Sequence, residues 1–174
     1  MKLAKVFKEN KQFTLFSILA LVVVGVAVFA PQIAPYDPLD AVMLESLQAP
    51  SSAHPFGTDK LGRDLLSRVI FGTRTSLVMT LCLVAVIFVI GTFLGIIAGY
   101  FGGIVDGVIM RIADMMISFP GLVLAIAIAG MLGPNLVNAV ISIAAVSWTK
   151  YARLARSMVL RVKKNLYIEA AVVN

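Results

Sequence analysis

The sequence predicts an all-α, polytopic membrane protein, and three observations support this fold class. Of the 174 residues, 60% are hydrophobic and only 14% are charged, whereas charged residues make up about 25% of an ordinary soluble domain. Residues 75–105 and 115–149 contain no charged residue, and about 20 apolar residues suffice to cross a bilayer core. The basic residues flank these apolar runs, so membrane topology explains the net charge of +6 better than nucleic-acid binding does.

The first predicted span covers residues 13–30 and follows a basic segment at residues 1–12. A secretory signal is the alternative. However, a signal peptide usually has an apolar core of about 7–15 residues, and here Pro31 directly follows the candidate cleavage site. We therefore interpret the segment as an uncleaved membrane anchor.

Three further spans are predicted, at residues 76–99, 112–132 and 134–149. A single helix over residues 115–149 would be about 52 Å long, too long for a bilayer core of about 30 Å. The stretch "LGPN" at residues 132–135 divides it, because Pro134 cannot continue a helix and Gly133 readily ends one.

The distribution of basic residues predicts the orientation of these four spans. Six basic residues follow the last span against Glu169 alone, namely Lys150, Arg153, Arg156, Arg161, Lys163 and Lys164. The loop at residues 31–75 instead balances four basic residues with five carboxylates. The positive-inside bias therefore places the N-terminus and the C-terminal segment in the cytoplasm and residues 31–75 outside.

The outer loop is predicted to have two parts. Five prolines make its first half irregular. An amphipathic helix is expected near residues 59–71, because Leu61, Leu65 and Val69 share one face and Thr58 or Asp59 could cap its start. Such a helix would lie on the outer membrane surface, first as an interfacial anchor and second as a docking surface.

Small residues and one proline are the candidate packing and pathway features within the spans. Glycines recur every four residues at the end of the second span, at Gly91, Gly95, Gly99 and Gly103. This spacing lines one helical face and lets another helix approach closely. Pro120 and Gly121 predict a kink or break that could line a path, and helix curvature without a transport role is the alternative. Arg111 and Asp114 are expected to pair at the inner end of the third span.

No metal or cofactor site is predicted. Cys82 has no second cysteine, and His54 has no second ligand nearby in sequence. No nucleophile and base arrangement indicates an enzyme, and no phosphate-binding loop of the G-x-x-x-x-G-K-[ST] type is present.

The segment at residues 150–174 is predicted to be a basic cytoplasmic helix. A helix resting on anionic lipid accounts for its arginines and lysines. It does not account for the apolar end "YIEAAVVN" (residues 167–174), whose small alanines beside one acid suit docking into a groove of a partner.

Four strings carry a family resemblance: "HPFGTDKLGRDLLSRVIFGTRTSL", "GYFGGIVDGVIMRIADMMISFPGLVLAIAIAGMLGP", "WTKYARLARSMVL" and "YIEAA". From about residue 36 to the last residue, the chain resembles the inner-membrane permease subunits of ATP-driven, binding-protein-dependent importers of dipeptides, oligopeptides and nickel, of the type with an N-terminal anchor. The resemblance implies the type I importer permease fold, of which four of an expected six spans are present. It also implies location in a bacterial inner membrane.

Permeases of this family carry a cytoplasmic coupling helix with an E-A-A, three residues, then glycine pattern. Glu169, Ala170 and Ala171 match its first three positions, and the glycine would be residue 175, so the chain is expected to be a truncated permease. The resemblance assigns ATPase coupling to these three residues together with Tyr167 and Arg153. Its implied partners are a second permease subunit, two ATPase subunits, an extracytoplasmic solute-binding protein and the lipid bilayer, with no nucleic acid and no cofactor.

By this resemblance the mechanism is alternating access driven by closure of the ATPase subunits, with peptides as the first solute class and nickel or a nickel chelate as the second. A structural or regulatory membrane subunit, or a fragment that lacks a complete path, is the alternative. A secondary transporter would need intramembrane ionisable residues, and Arg111 and Asp114 lie only at the edge of a span.

Overall fold

A computed structural model describes residues 10–163 of the chain. This part is helical, and its one β-type pairing is an isolated bridge between Thr58 and Asp64. The helices are α1 (Lys11–Val28), α2 (Ala30–Ile33), α3 (Leu65–Phe101), α4 (Gly103–Ser118), α5 (Gly121–Leu132) and α6 (Leu136–Lys163), with a 3₁₀ turn at Met43–Glu45. The chain divides into two compact units between Val78 and Met79.

Two of the described helices, α1 and α3, are long and apolar enough to cross a membrane. The pair α4 and α5 adds a third span if the two are counted together across their bend. The described residues thus contain two or three candidate spans where the sequence predicts four. Helix α6 is not among them because it continues through the predicted boundary at residue 149 into the basic stretch that ends at Lys163.

The start of α3 differs from the amphipathic helix expected near residues 59–71. The Asp59 carboxylate accepts hydrogen bonds from the backbone N–H groups of Leu61 (2.8 Å) and Arg63 (3.0 Å), and Gly62 has φ +76°. These residues form a turn, since a short polar side chain that bonds its own backbone competes with a helix. The helix begins only at Leu65 and then runs without a break through the second predicted span to Phe101.

The side chain of Asp64, rather than that of Thr58 or Asp59, caps the first turn of α3. Its Oδ2 accepts a hydrogen bond of 2.7 Å from the backbone N–H of Ser67 and another of 2.7 Å from the Ser67 hydroxyl. An acceptor at this position satisfies one of the N–H groups that a helix start leaves without a partner.

The third predicted span is bent in the structure. Helix α4 ends at Ser118, Phe119 is extended, and α5 begins after Pro120, with an angle of 93° between the two helices. Phe119 precedes a proline, which disfavours the helical conformation for it, and Pro120 supplies no N–H to an α4 carbonyl. The span predicted at residues 112–132 therefore consists of the second half of α4 and all of α5.

Helices α4 and α5 both pack against α6 in the second unit. The buried residues of these three helices carry small side chains: Ala113, Ala125, Ser142, Ala144, Thr149 and Ala152. The hydroxyl of Ser142 donates to the carbonyl of Asn138 (2.7 Å) within α6, so burial leaves it satisfied. Small residues allow helix backbones to approach closely in lipid.

Candidate functional site

Three glycines of α3 lie against the backbone of α6 and form what we call the glycine seam: Gly91, Gly95 and Gly99. A Cβ atom added at Gly91 would lie 2.5 Å from the Trp148 carbonyl oxygen and 2.6 Å from Cβ of Tyr151. At Gly95 it would meet the carbonyl oxygen of Ala152. Only hydrogen fits at these positions, because backbone atoms cannot move aside as a flexible side chain can.

The seam continues to the end of α3, where a Cβ atom at Gly99 would lie 2.8 Å from Cβ of Val159. Four residues further on, Gly103 does not belong to the seam, since no atom lies within 4 Å of where its Cβ would be. Gly102 and Gly103 instead form the corner between α3 and α4, with φ values of +66° and +52°. Left-handed φ values cost glycine little.

Two ion pairs join α4 to the second half of α6. Arg156 donates through Nε and Nη2 to the two carboxylate oxygens of Asp106, each at 2.5 Å, and Arg153 donates to Asp114. The fork of Arg156 on Asp106 is half-buried, whereas the Arg153 and Asp114 side chains are exposed. The pairing expected between Arg111 and Asp114 is replaced by this one, because α6 brings Arg153 to the Asp114 carboxylate.

A cavity of about 380 Å³ lies at the bend between α4 and α5, and we call it the bend cavity. Its walls come from both sides of the bend and from α6 and are mainly apolar, and they include Met116, Phe119, Gly121, Ile143, Ser147 and Lys150. Gly121 is one wall residue, and a Cβ atom there would lie 3.5 Å from Val146. Pro120 shapes the cavity through the bend itself.

The C-terminal end of α6 is also attached to α3. The Lys163 ammonium donates to the carbonyl oxygen of Tyr100 (2.8 Å) and lies 5.8 Å from the centre of the Tyr100 ring. The Tyr100 carbonyl lies in the last turn of α3, where helix carbonyls lack partners and a cation is favourable.

Of the residues to which ATPase coupling was assigned, Arg153 is the one that the structure describes. Tyr167, Glu169, Ala170 and Ala171 lie outside residues 10–163. Asp106 and Arg156 were not among the predicted site residues, because a contact between residues 50 positions apart leaves no local spacing signal. The sequence signal for these contacts was the presence of two acids, Asp106 and Asp114, in α4.

The first unit contains a second polar cluster, centred on His54. Its Nδ1 lies 3.0 Å from Oδ1 of Asp64 and its Nε2 lies 3.3 Å from Oε2 of Glu45. The Tyr36 ring packs on the imidazole at 4.9 Å between centroids, and the Tyr36 N–H donates to the Ser67 hydroxyl (3.1 Å). No group of three or more His, Cys, Asp or Glu residues suited to a metal ion occurs among the described residues.

Two carboxylates of this loop have lowered pKa values. The hydrogen bond from the Arg63 side chain is the largest cause that lowers the pKa of Asp59 to about 2, against an ordinary 3.8. Burial raises the pKa of Asp64, but hydrogen bonds from Ser67 and His54 together outweigh burial, so its pKa is below the ordinary value. Both groups are therefore charged at neutral pH.

Comparisons with known proteins cover most of the chain. The family model described as "Binding-protein-dependent transport system inner membrane component" matches residues 91–173, which include the glycine seam, the bend cavity and the ion pairs. The family model described as "N-terminal TM domain of oligopeptide transport permease C" matches residues 2–50.

Individual relatives match along nearly the whole sequence. The probable D,D-dipeptide transport system permease protein DdpC of Escherichia coli (strain K12) is 41% identical over 170 residues, 98% of this chain and 57% of the relative. The dipeptide transport system permease protein DppC of Haemophilus influenzae is 38% identical over 171 residues, 95% of this chain and 58% of the relative. The glutathione transport system permease protein GsiD of Pectobacterium atrosepticum is 42% identical over 152 residues, 87% of this chain and 50% of the relative.

The chain thus spans between half and three-fifths of the length of these curated relatives. The names of these relatives are those of transport permease proteins, and both family models describe membrane components of such systems. Their matches, taken with the apolar helices α1 and α3, show that this chain belongs to the family of inner-membrane permease proteins of ABC-type, binding-protein-dependent transport systems.

Proposed function

We propose that the chain supplies a transmembrane permease part of an ATP-driven, binding-protein-dependent importer of peptides. The observation that carries this proposal is the family match over residues 91–173, since these residues build the seam, the bend cavity and the ion pairs. Peptides are favoured over nickel because the named relatives transport dipeptides or glutathione.

The fold proposed for the whole permease is the six-span type I importer fold. In this arrangement four spans fall in the chain, and α6 contributes one span through its apolar first half, residues 136–149. The basic segments at residues 1–12 and 150–174 face the cytoplasm, as the positive-inside bias indicates.

The proposed mechanism is alternating access. A soluble binding protein delivers the peptide to the outer side, and two ATPase subunits close on binding ATP. The segment that contains Tyr167, Glu169, Ala170 and Ala171 docks into an ATPase subunit, and α6 transmits its displacement to the bend cavity. A second permease subunit completes the path. Such coupling needs two states of the interface that ATP binding biases.

Peptide-stimulated ATP hydrolysis tests the proposed function. The permease, assembled with its ATPase subunits and binding protein in proteoliposomes, is expected to hydrolyse ATP faster when peptide is added. Glu169→Lys should abolish this stimulation without changing membrane insertion, because a cation replaces the acid of the docking segment. The matched control, Asp40→Lys, reverses an exposed carboxylate in the first unit and should keep the stimulation. Stimulation that survives Glu169→Lys would remove Glu169 from coupling.

Cysteine labelling tests the orientation. In a Cys82→Ser background, Leu44→Cys places a thiol at a position that is 97% exposed in the first unit, and Ser157→Cys places one on the exposed side of α6. A membrane-impermeant maleimide should label the first in intact cells with a permeabilised outer membrane, and the second only after the inner membrane is opened. Labelling of both in intact cells would contradict the topology.

The alternative, a structural or regulatory subunit without a path, predicts a different outcome in the same proteoliposomes. In that case the chain would assemble with its partners, but peptide uptake would be equal with and without it.

A further inference from the structure

Helix α4 has a non-helical connection at each end. At its start, Gly102 and Gly103 both have positive φ values and no atom lies within 4 Å of either Cβ position, so the corner with α3 is not fixed by packing around these two residues. At its end, the break at Phe119 and Pro120 interrupts the helical hydrogen bonds. The direction of α4 must therefore be set by what it contacts along its length.

The strongest polar contact along α4 is the pair between Asp106 and Arg156. Both carboxylate oxygens are engaged by one guanidinium, and the side chains are only 18% and 34% exposed. Bidentate pairs of this kind fix orientation as well as distance, because the planar fork fits a carboxylate in one relative geometry. The pair formed by Asp114 and Arg153 is more exposed, at 60% and 46%, and exposed pairs contribute little.

Helix α6, which carries Arg156, is also attached to α3. The glycine seam and the contact from Lys163 to Tyr100 attach this part of α6 to α3. Displacement of α6 would therefore move Arg156 together with the end of α3, and the pair would pass this movement to the first turn of α4.

The bend cavity lies at the opposite end of α4 from Asp106. It is bounded by the last turn of α4, by α5 and by α6. A change in the direction of α4 alters the angle at Phe119 and Pro120 and thereby the shape of this cavity.

We propose that Asp106 and Arg156 are positioning residues that make α4 follow α6, so that their ion pair sets the bend angle and links movement of α6 to the bend cavity. The part of this proposal that concerns transport rests on the proposed function. The part that concerns geometry does not, and the two are measured separately.

The geometric test is the distance between spin labels on α4 and α5. Labels at Val108→Cys and Ile126→Cys, two positions that are 54% and 62% exposed, are introduced in a Cys82→Ser background of the full permease. The native protein should give one narrow distance distribution. Asp106→Arg and Arg156→Asp should each broaden or shift it, since each places like charges opposite one another. The double reversal, Asp106→Arg with Arg156→Asp, should restore it.

The control for net charge is Arg161→Asp, which makes the same charge change at an exposed position of the same helix. Within residues 10–163, Arg161 is in none of the ion pairs. Arg161→Asp should leave the distribution unchanged. An equal effect from Arg161→Asp, or an unchanged distribution in both single Asp106 and Arg156 variants, would overturn the proposal.

The transport test compares basal with peptide-stimulated ATP hydrolysis in the assembled transporter. Asp106→Arg and Arg156→Asp should lower the stimulation about tenfold and leave basal hydrolysis unchanged. The double reversal should recover most of the loss, although an arginine in the first turn of α4 is less favourable than an acid there. Arg156→Lys, which keeps the charge but not the fork, should fall between the native protein and Arg156→Asp.

The two proposals fail in different ways. A native transporter without peptide-stimulated hydrolysis would contradict the proposed function, and the label distances would then decide the positioning role alone. Native stimulation that persists in the single variants although their label distances change would overturn the link from this ion pair to transport.

Discussion

The imidazole Nδ1 of His54 lies 3.0 Å from Oδ1 of Asp64, and the two side chains are only 7% and 1% exposed. The other oxygen of Asp64 accepts both hydrogen bonds from Ser67 in the first turn of α3. One buried carboxylate thus connects the irregular loop of the first unit to the start of a membrane helix. Charge-assisted hydrogen bonds are the strong class of protein hydrogen bond.

We expect Asp64→Asn to destabilise this loop by about 2–3 kcal/mol, because the charge that holds His54 and Ser67 is lost at a buried site. Hydrogen exchange followed by mass spectrometry should show faster exchange in peptides that cover residues 54–67. Asp40→Asn is the control, since Asp40 is exposed. Equal protection in the Asp64→Asn and native proteins would contradict the connecting role of Asp64.

The lowered pKa of Asp59 predicts a pH dependence of loop stability. A carboxyl group whose pKa is lower in the folded state stabilises that state above its unfolded pKa, and the contribution is lost as the pH falls through the folded pKa. For Asp59 the window extends from its ordinary pKa of 3.8 down to about 2, and the lowered pKa of Asp64 acts in the same direction.

The loop should therefore keep its protection from neutral pH to about pH 4 and lose it between about pH 4 and pH 2. Hydrogen exchange, corrected for the intrinsic pH dependence of the chemical step, measures this. Asp59→Asn should lower protection at neutral pH and flatten the acid transition. A transition of unchanged size in Asp59→Asn would show that other groups cause it.

The glycine seam predicts a steep cost for the smallest possible side chain. Gly95→Ala places a methyl group against the Ala152 carbonyl, so we expect a loss of about 1–3 kcal/mol in the free energy of unfolding. Trp148, the only tryptophan of the chain, lies at the seam beside Gly91, and its fluorescence during thermal unfolding in detergent can follow the change.

Gly107→Ala is the matched control for Gly95→Ala. Gly107 lies within α4, and no atom lies within 4 Å of its Cβ position. This substitution should be neutral or stabilising by up to about 1 kcal/mol, because alanine favours helix more than glycine does. A seam variant as stable as the control would show that α3 and α6 can separate without cost.

Removal of Pro120 should straighten the bend between α4 and α5. In Pro120→Ala a backbone N–H becomes available, and Phe119 is released from the restriction imposed by a following proline. Spin labels at residues 108 and 126 should then move toward the separation of about 27 Å that an uninterrupted helix would give between their backbones.

Pro134→Ala is the control for Pro120→Ala, since Pro134 lies between α5 and α6 and outside the labelled segment. It should leave the label distance unchanged. A bend that persists in Pro120→Ala would mean that packing against α6, rather than the proline, maintains it.

Local patterns predicted the features of this fold that depend on local chemistry. The glycine and proline at residues 133 and 134 separate α5 from α6, where Gly133 has φ +90°. The charge-free runs lie mainly in α3, α5 and the first half of α6. These features follow from backbone restrictions and hydropathy, which act over a few residues.

Features that depend on contacts between distant residues were not predictable in the same way. Apolar periodicity around Leu61 indicated a helix, but the carboxylate of Asp59 and the left-handed Gly62 produce a turn there. The sequence spacing predicted an ion pair between Asp114 and Arg111. In the structure α4 packs on α6, and Asp114 pairs with Arg153 of α6 instead. The fork between Asp106 and Arg156 required the tertiary arrangement.

The junction between α5 and α6 satisfies its own polar groups. The Asn138 side-chain amide donates to the carbonyl oxygens of Leu132 (2.7 Å) and Gly133 (3.2 Å), and the Asn135 side chain accepts from the Val137 N–H (2.8 Å). In the proposed topology this tip crosses hydrocarbon during biosynthesis, where each unsatisfied backbone group would cost several kcal/mol. Because these carbonyls carry their partners with them, the two helices can enter the bilayer together as one preassembled hairpin.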